Sequence, residues 1–349
     1  MPFDPTERVP LGQTRLAVTR LGLGLASIGG LFDAVAESDA LATIDRAWEL
    51  GIRTFDVAPL YGYGLAERRL GRGLAGRSRD DYVLSTKVGR LIRPSDALGP
   101  GADIDRQALG DQEDAFYARS EAVRLVFDYS GDGVRRSIEE SLERLGVSHI
   151  DIALIHDPDD HWEQAIGEAY PALARMREEG TIRAVGAGMN QSAMLARFAR
   201  EGDFDVFLVA GRYTLLDQSA LVDLLPLCSA RGIALLVGGV MNSGVLADPT
   251  PASHFDYRPA PADIVARAVR IRQLCERHGV PVRDAAIQFP LAHPAVVSLI
   301  AGVRRVDHLE EYPLAMRRRI PPSVWEDLRA EGLLALDAPV PDTPAVDVP

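Results

Sequence analysis

Cysteine is scarce: the 349 residues include two, Cys228 and Cys275, and both fall in helix-like stretches. Two thiols cannot form the dense disulfide framework of a small secreted domain, so a reducing compartment is expected. Long apolar runs are missing as well. The best of them, residues 233–241, is far shorter than the roughly 20 residues of a membrane span. The opening Met1-Pro2-Phe3-Asp4-Pro5 lacks the basic region and apolar run of a signal peptide. Positive charge is in deficit, with 38 Lys and Arg against 50 Asp and Glu and a formal net charge of −12. That balance excludes duplex nucleic acid or an anionic membrane as the main partner, because both require positive surface. The absences together predict a soluble cytoplasmic protein that acts on a small molecule, and nothing in them specifies an oligomer.

Hydrophobic residues make up 47% of the chain, enough for one large core. Short apolar segments rich in Val, Ile and Leu recur at 21–25, 52–57, 82–88, 150–156, 182–188, 206–211, 233–238 and 296–302. They read as parallel strands covered on both faces. Amphipathic segments lie between them, at 39–50, 66–74, 133–145, 162–179, 192–200, 220–231 and 262–278. Several of these stop at glycine (Gly51, Gly146, Gly180, Gly232), which suits a left-handed helix C-terminus. Eight strand–helix repeats predict an α/β fold, a (β/α)8 TIM barrel, with an open doubly wound sheet as the competing arrangement. Residues 15–19, after the turn Gly12-Gln13-Thr14, are expected to complete an N-terminal β-hairpin that plugs one end. A connection as long as 90–130, after strand 3, is expected to be a lid or a disordered segment. The Pro- and acid-rich tail 337–349 is expected to be disordered, leaving 1–336 as a single domain.

Reactive side chains of a barrel sit at the C-terminal ends of its strands. Three strands here end in polar groups: Asp56 with Tyr61 shortly after it, Lys87, and His156. Taken singly, each has an ordinary explanation: a cap, a paired core cation, an amphipathic wall residue, a satisfied core histidine. Taken together, each solves a problem that the others create. A phenol with a pKa near 10 is a poor acid or base at neutral pH, and a nearby cation lowers that value. Lys87 supplies the charge and Asp56 holds it, since a buried ammonium needs a partner. A neutral His156 donates a hydrogen bond to a substrate oxygen and fixes its position. The set suits proton exchange with a carbonyl or hydroxyl oxygen, without a nucleophile or a metal. A barrel lyase forming a Schiff base on Lys87 is a competing reading, although Asp56 beside the lysine opposes it.

The segment Phe55-Asp56-Val57-Ala58-Pro59-Leu60-Tyr61-Gly62, with Glu67 and Leu70-Gly71 after it, resembles the aldo-keto reductase signature. Ser85-Thr86-Lys87 and Ile155-His156 resemble that family's other two catalytic strands, and the similarity runs from about residue 19 to 314. The resemblance implies a barrel that binds an extended nicotinamide cofactor, with Tyr61, Lys87, Asp56 and His156 catalytic and Tyr61 the general acid/base. Segments 128–133, 156–160, 211–216 and 238–244 are similar to the family's sugar-oxidising branch. That implies oxidation of an aldose hemiacetal, such as that of L-fucose or D-arabinose, at C1 to the lactone. The alternatives are pyridoxal oxidation, general aldehyde or ketone reduction, and a non-enzymatic cofactor-binding subunit. The same resemblance assigns Gly24, Asn190, Gly239, Asn242, Ser243, Gly244, Gly302, Arg304, His308 and Glu311 to the cofactor, and Tyr129, Asp157 and Tyr213 to the substrate. Met189, Ala210 and the Gly238-Gly239 pair depart from the family pattern around the nicotinamide. Gly302 and His308 stand where NADP-specific members place a basic pair, so NAD(P) with a leaning to NAD is expected.

Two decoys are set aside. Gly22-Leu23-Gly24 begins like a dinucleotide fingerprint but lacks the third glycine and the acidic residue at a second strand end. The run His156-Asp157-Pro158-Asp159-Asp160-His161 crowds its would-be metal ligands into one loop, which makes convergent coordination awkward. A solvated acidic loop is expected there instead.

Overall fold

The computed structural model describes residues 3–31, 33–106, 122–256 and 258–341. Eight parallel strands close into a barrel in chain order: β1 (Leu21–Gly24), β2 (Thr54–Asp56), β3 (Val83–Val88), β4 (Ile152–His156), β5 (Ala184–Met189), β6 (Val206–Ala210), β7 (Ala234–Gly238) and β8 (Val296–Gly302). β8 returns to β1 in the register Gly302↔Gly24, so the barrel sheet has no unpaired edge and the open-sheet alternative is excluded.

Side chains alternate in two layers because successive strand residues point to opposite faces. Ile152 and Leu154 of β4 join Leu208, Leu236 and Ile300 inside the barrel. Ala153 and Ile155 face outward under the helices. An N-terminal hairpin, Arg8–Pro10 paired antiparallel with Ala17–Thr19, sends Leu11, Leu16 and Val18 into the inner layer and closes the end away from the strand C-termini.

Strands β2, β3, β4, β5 and β7 begin one or two residues later than their apolar runs. The C-cap of α1 (Glu37–Glu49) shows the reason. Gly51 N–H donates to the Trp48 carbonyl and Ile52 N–H to the Ala47 carbonyl, so Ile52 is the apolar residue that closes a Schellman turn. Ile233 closes the helix Leu224–Arg231 similarly, its N–H donating to Cys228. All four predicted terminal glycines adopt positive φ. The single helix expected at 162–179 is interrupted by a π turn, Ala165–Ala169.

Further segments add to what the sequence predicts. The connection after β3 opens and closes as an antiparallel hairpin, Arg90–Pro94 with Val123–Phe127, in the register Arg90↔Phe127; residues 107–121 lie outside the described residues. The tail is packed as far as it is described. Ala338 is buried and its carbonyl accepts from Arg329 at 2.7 Å, while 342–349 lie outside the described residues. Three helices escaped the periodicity: Val282–Leu291, Val306–Arg317 and Pro322–Ala330. The first is buried on nearly every side and carries Pro290, the second carries Pro313. The first therefore shows no apolar stripe with an opposing polar face. Both cysteines are free and buried. Among the described residues, no helix is long and apolar enough to cross a membrane.

Candidate active site

Period-two alternation decides which polar residues face the barrel interior. With Thr54 and Val83 inward, Asp56 points inward on β2, as do Ser85 and Lys87 on β3; with Ile152 and Leu154 inward, so does His156 on β4. The register Asp56↔Ser85 and Lys87↔Leu154 brings these three strand ends to the same mouth. Lys87 Nζ donates to Asp56 Oδ2 at 2.7 Å and to the Val57 carbonyl at 3.0 Å. The other carboxylate oxygen of Asp56 accepts from Ser85 Oγ at 3.0 Å. Lys87 is 1% exposed and Asp56 3%, so water cannot replace either partner. Gly188 on β5 lies beside the lysine stem: a Cβ there would stand in contact with Lys87 Cε, at 3.4 Å.

Tyr61 comes from the loop after β2, not from a strand. Its backbone is clamped where Gly62, at φ +63°, meets Gly29 of the loop after β1. A Cβ on Gly62 would lie 2.3 Å from the Gly29 carbonyl oxygen, and one on Gly29 would lie 2.8 Å from the Tyr61 carbonyl carbon. The close contact leaves the ring over Lys87, whose Nζ stands 4.9 Å from the ring centroid. His156 meets the same ring edge-on, at 5.9 Å and 86°. The four expected residues therefore share one site. Burial, then the charges of Arg90 and Lys87, pushes the His156 pKa well below its usual value, so the imidazole is neutral at pH 7 and one ring nitrogen carries a proton to donate.

Glu67, also in the signature, does not face the mouth. It is buried under α2 (Leu65–Leu74), accepts from Thr86 Oγ1 at 2.9 Å and pairs with Arg144 at 2.5 Å. It ties β3 to α2 and to α3 (Gly131–Leu145).

Of the residues expected to touch substrate, only Asp157 is open to the mouth, with 30% of its side chain exposed. Tyr129 and Tyr213 are fully buried, which corrects their expected position. Tyr129 donates to the His156 carbonyl at 2.6 Å and the Asp157 carbonyl at 3.0 Å. Tyr213 packs against Phe289 and His293. Direct contact with a substrate is open to neither. The sequence reading missed Arg90, which pairs with Asp105 at 2.6 Å and donates to the His156 carbonyl at 2.8 Å. Arg90 and Tyr129 thus fix the end of β4 from behind. One overlooked signal was composition: Lys87 is the only lysine, so the other 37 of the 38 basic residues are arginines.

The expected cofactor residues line the rim from β5 round to β1. Asn190 follows β5 and is partly exposed. After β7, Gly239, Asn242, Ser243 and Gly244 all have positive φ. The Asn242 side chain is buried and committed, donating to the Gly211 carbonyl at 3.0 Å and accepting from Thr214 Oγ1 at 2.7 Å, so it offers backbone and not amide to a ligand. Gly302 and Gly24 face each other across β8 and β1. Arg304 is paired with Asp33. Arg305 is paired with Asp307 at 2.7 Å and stands 3.3 Å from exposed His308. Glu311 is paired with Arg283. In the acidic loop after β4, His161 turns away to Asp103, 2.7 Å from it.

The model of the aldo/keto reductase family matches residues 20–331. A pyridoxal 4-dehydrogenase of Microbacterium luteolum is 40% identical over 346 residues, 96% of this chain and 100% of that one. A D-threo-aldose 1-dehydrogenase of a Pseudomonas species is 40% identical over 323 residues, 91% of this chain and 95% of that one. Among solved structures, the holo form of the aldo-keto reductase AKR11C1 from Bacillus halodurans superposes with a TM-score of 0.72 at 24% identity, over 97% of this chain and 99% of that one, a likeness of fold. With the barrel, its hairpin and the four converging side chains, these matches establish that the chain belongs to the aldo/keto reductase family.

Proposed function

We propose that the protein is an NAD(P)-dependent dehydrogenase, preferring NAD, that oxidises the cyclic hemiacetal of an aldose such as L-fucose or D-arabinose at C1 to the lactone. The observation that carries this reading is the buried Lys87–Asp56 pair beneath the Tyr61 ring, with neutral His156 edge-on to it. A nicotinamide dinucleotide fits the rim: a side chain added at Gly244 would meet nothing within 4 Å, and one at Gly302 only Ser27 Oγ, at 3.7 Å. The backbone is therefore open at these two glycines, where a ligand would be able to approach it closely. When bound, the nicotinamide supplies the hydride acceptor. His156 donates a hydrogen bond to the anomeric oxygen and holds it. Tyr61, entering the step as the phenolate, takes the proton from that hydroxyl and becomes the phenol, and the ammonium of Lys87 favours each negative charge that the transfer passes through. Asp56 keeps the ammonium in place. In the reductive direction Tyr61 returns the proton.

The leaning to NAD rests on charge. Arg304 and Arg305 each stand against a carboxylate, Asp33 and Asp307, which offsets part of their attraction for a 2′-phosphate. The name of the Microbacterium relative favours a second substrate, the cyclic hemiacetal of pyridoxal, through the same proton transfer.

The test is the absorbance of reduced nicotinamide, followed with a panel of aldoses and pyridoxal and with NAD and NADP separately. A signal with L-fucose or D-arabinose and NAD is expected. A signal with pyridoxal alone moves the substrate; silence with cofactor bound overturns the reading. Tyr61→Phe should lose activity by about a thousandfold, as removal of a general acid/base combined with its charge partner implies, while cofactor binding measured by fluorescence is unchanged. Sugar oxidation by that variant above a few per cent of the parent rate would falsify the role given to Tyr61. Borohydride trapping with substrate separates the lyase: only a Schiff base on Lys87 would be labelled.

A further inference from the structure

β4 carries His156 to the mouth, and the chain turns sharply there. Asp157 follows at φ +41°, a left-handed conformation that Asp and Asn tolerate and most side chains resist. The turn is held from both sides. Asp157 N–H donates to the Gly188 carbonyl at 3.2 Å, and its carbonyl accepts from Tyr129 Oη at 3.0 Å. The His156 carbonyl just before it accepts from both Tyr129 and Arg90, at 2.6 and 2.8 Å. This backbone aims the carboxylate back over the imidazole. Asp157 Oδ2 stands 3.3 Å from His156 Nε2 and 3.9 Å from Arg90 Nη2. Its side chain is 30% exposed, whereas that of His156 is 8% exposed. An acceptor is thus open to the mouth directly beside the imidazole that holds the reacting oxygen.

We propose that Asp157 is a specificity-determining residue that accepts a hydrogen bond from the hydroxyl on the carbon next to the reacting one, so that the site takes 2-hydroxylated hemiacetals in preference to plain aldehydes and ketones. The proposal rests on the dehydrogenase reading above and narrows its substrate class. An ionised carboxylate only accepts, and it repels the lone pairs of the reacting oxygen. The partner it favours is an O–H alongside that oxygen. Neighbouring oxygens of a sugar stand roughly one hydrogen-bond length apart, about 2.8 Å, which brings the second hydroxyl within reach of Oδ2. A substrate without that hydroxyl strips water from the carboxylate and returns no donor, and sites of this kind discriminate strongly. The groups facing Asp157 are Arg90 and Lys87, which favour its ionised form, and Asp105 and Asp159, which oppose it, besides His156. Burial pushes its pKa up to about 6, so the acceptor is ionised above neutrality and is lost in acid.

Two substitutions preserve the backbone: Asp157→Asn, because asparagine tolerates the left-handed region, and Asp157→Gly, because glycine enters it freely. D-arabinose and 2-deoxy-D-ribose differ only in the C2 hydroxyl. Each variant should lose about tenfold to a hundredfold in kcat/KM for arabinose, the range of a charge-assisted hydrogen bond, and less than about threefold for the deoxy sugar. The preference of the parent protein should also shrink as pH falls through about 6. Equal losses on both sugars would mean that Asp157 only orients His156, and would overturn the proposal. Saturation-transfer NMR of the same two sugars on the cofactor-loaded protein measures the preference without turnover. A preference in binding that disappears in Asp157→Asn upholds the proposal even if neither sugar is oxidised, in which case the dehydrogenase reading fails alone. Parent protein that binds both sugars equally, or neither, overturns it.

Discussion

The Lys87–Asp56 pair shows how residue chemistry and stability are linked in this protein. Removing one member of a buried pair leaves the other charge without compensation, at about 3–5 kcal/mol. Asp56→Asn should therefore lower the unfolding free energy by about that amount in urea, since Lys87 would keep only uncharged acceptors, the Val57 carbonyl and the new amide oxygen. A loss under about 1 kcal/mol would mean that the pair is better solvated than its exposure indicates. Because Lys87 is the only lysine, an amine-reactive reagent has one side-chain target and reports on opening of the site by mass alone. Asp56, Lys87 and His156 were legible because each sets an ionisable group at the end of an apolar strand, and Tyr61 because it follows Asp56 closely in the signature segment. Tyr129 was legible as a residue but not in its role. Only the fold brings the turn before α3 behind β4, where its hydroxyl meets the His156 carbonyl.

At the scale of elements, the hairpin after β3 is locked to the mouth by close packing. Gly89 sits at φ +105°, and a Cβ on it would lie 2.1 Å from Tyr129 Cε1. Gly89→Ala combines a disfavoured conformation with a clash in a packed interior. It should destabilise the protein by about 2 kcal/mol or more, seen as a lower thermal midpoint, and should open the hairpin to proteolysis before global unfolding. Equal midpoints for parent and variant would show that Tyr129 swings aside without cost. The strand and helix rhythm was readable from apolar periodicity, yet the boundaries moved where an isoleucine closed a helix instead of opening a strand. The antiparallel ladder of 90–94 with 123–127 was hidden, because both flanks sit in a connection whose Gly, Asp and Pro content masks pairing. Nor does the helix Val282–Leu291 advertise itself, since burial on nearly every side removes the amphipathic signal.

Over the whole molecule, protonation connects the site to global stability. His149, His156 and His293 all have pKa values lowered by burial. The unfolded chain takes up protons on these groups below about pH 6.5, while the folded one resists. Their stabilising contribution is therefore present above that value and is lost as pH falls through the lowered values. The raised carboxyls of Asp157, Asp159 and Asp284 act with the opposite sign, and at lower pH. The unfolding free energy in urea should consequently fall as pH drops from 7 to 6, by less than about 1.4 kcal/mol for each histidine, and His156→Gln should flatten the slope. A midpoint that rises as pH falls across that window would contradict the burial argument. Eight repeats, the apolar strands, the glycine-ended helices and the polar strand ends were written in the sequence, because each depends on residues near one another along the chain. Tertiary structure alone decided that β8 closes on β1, that Gly29 and Gly62 clamp Tyr61, and that Arg304 is matched by Asp33. It also turned the Asp157 carboxylate onto His156. Those features depend on distances between segments far apart in the chain, which closure of the barrel sets and local propensity does not.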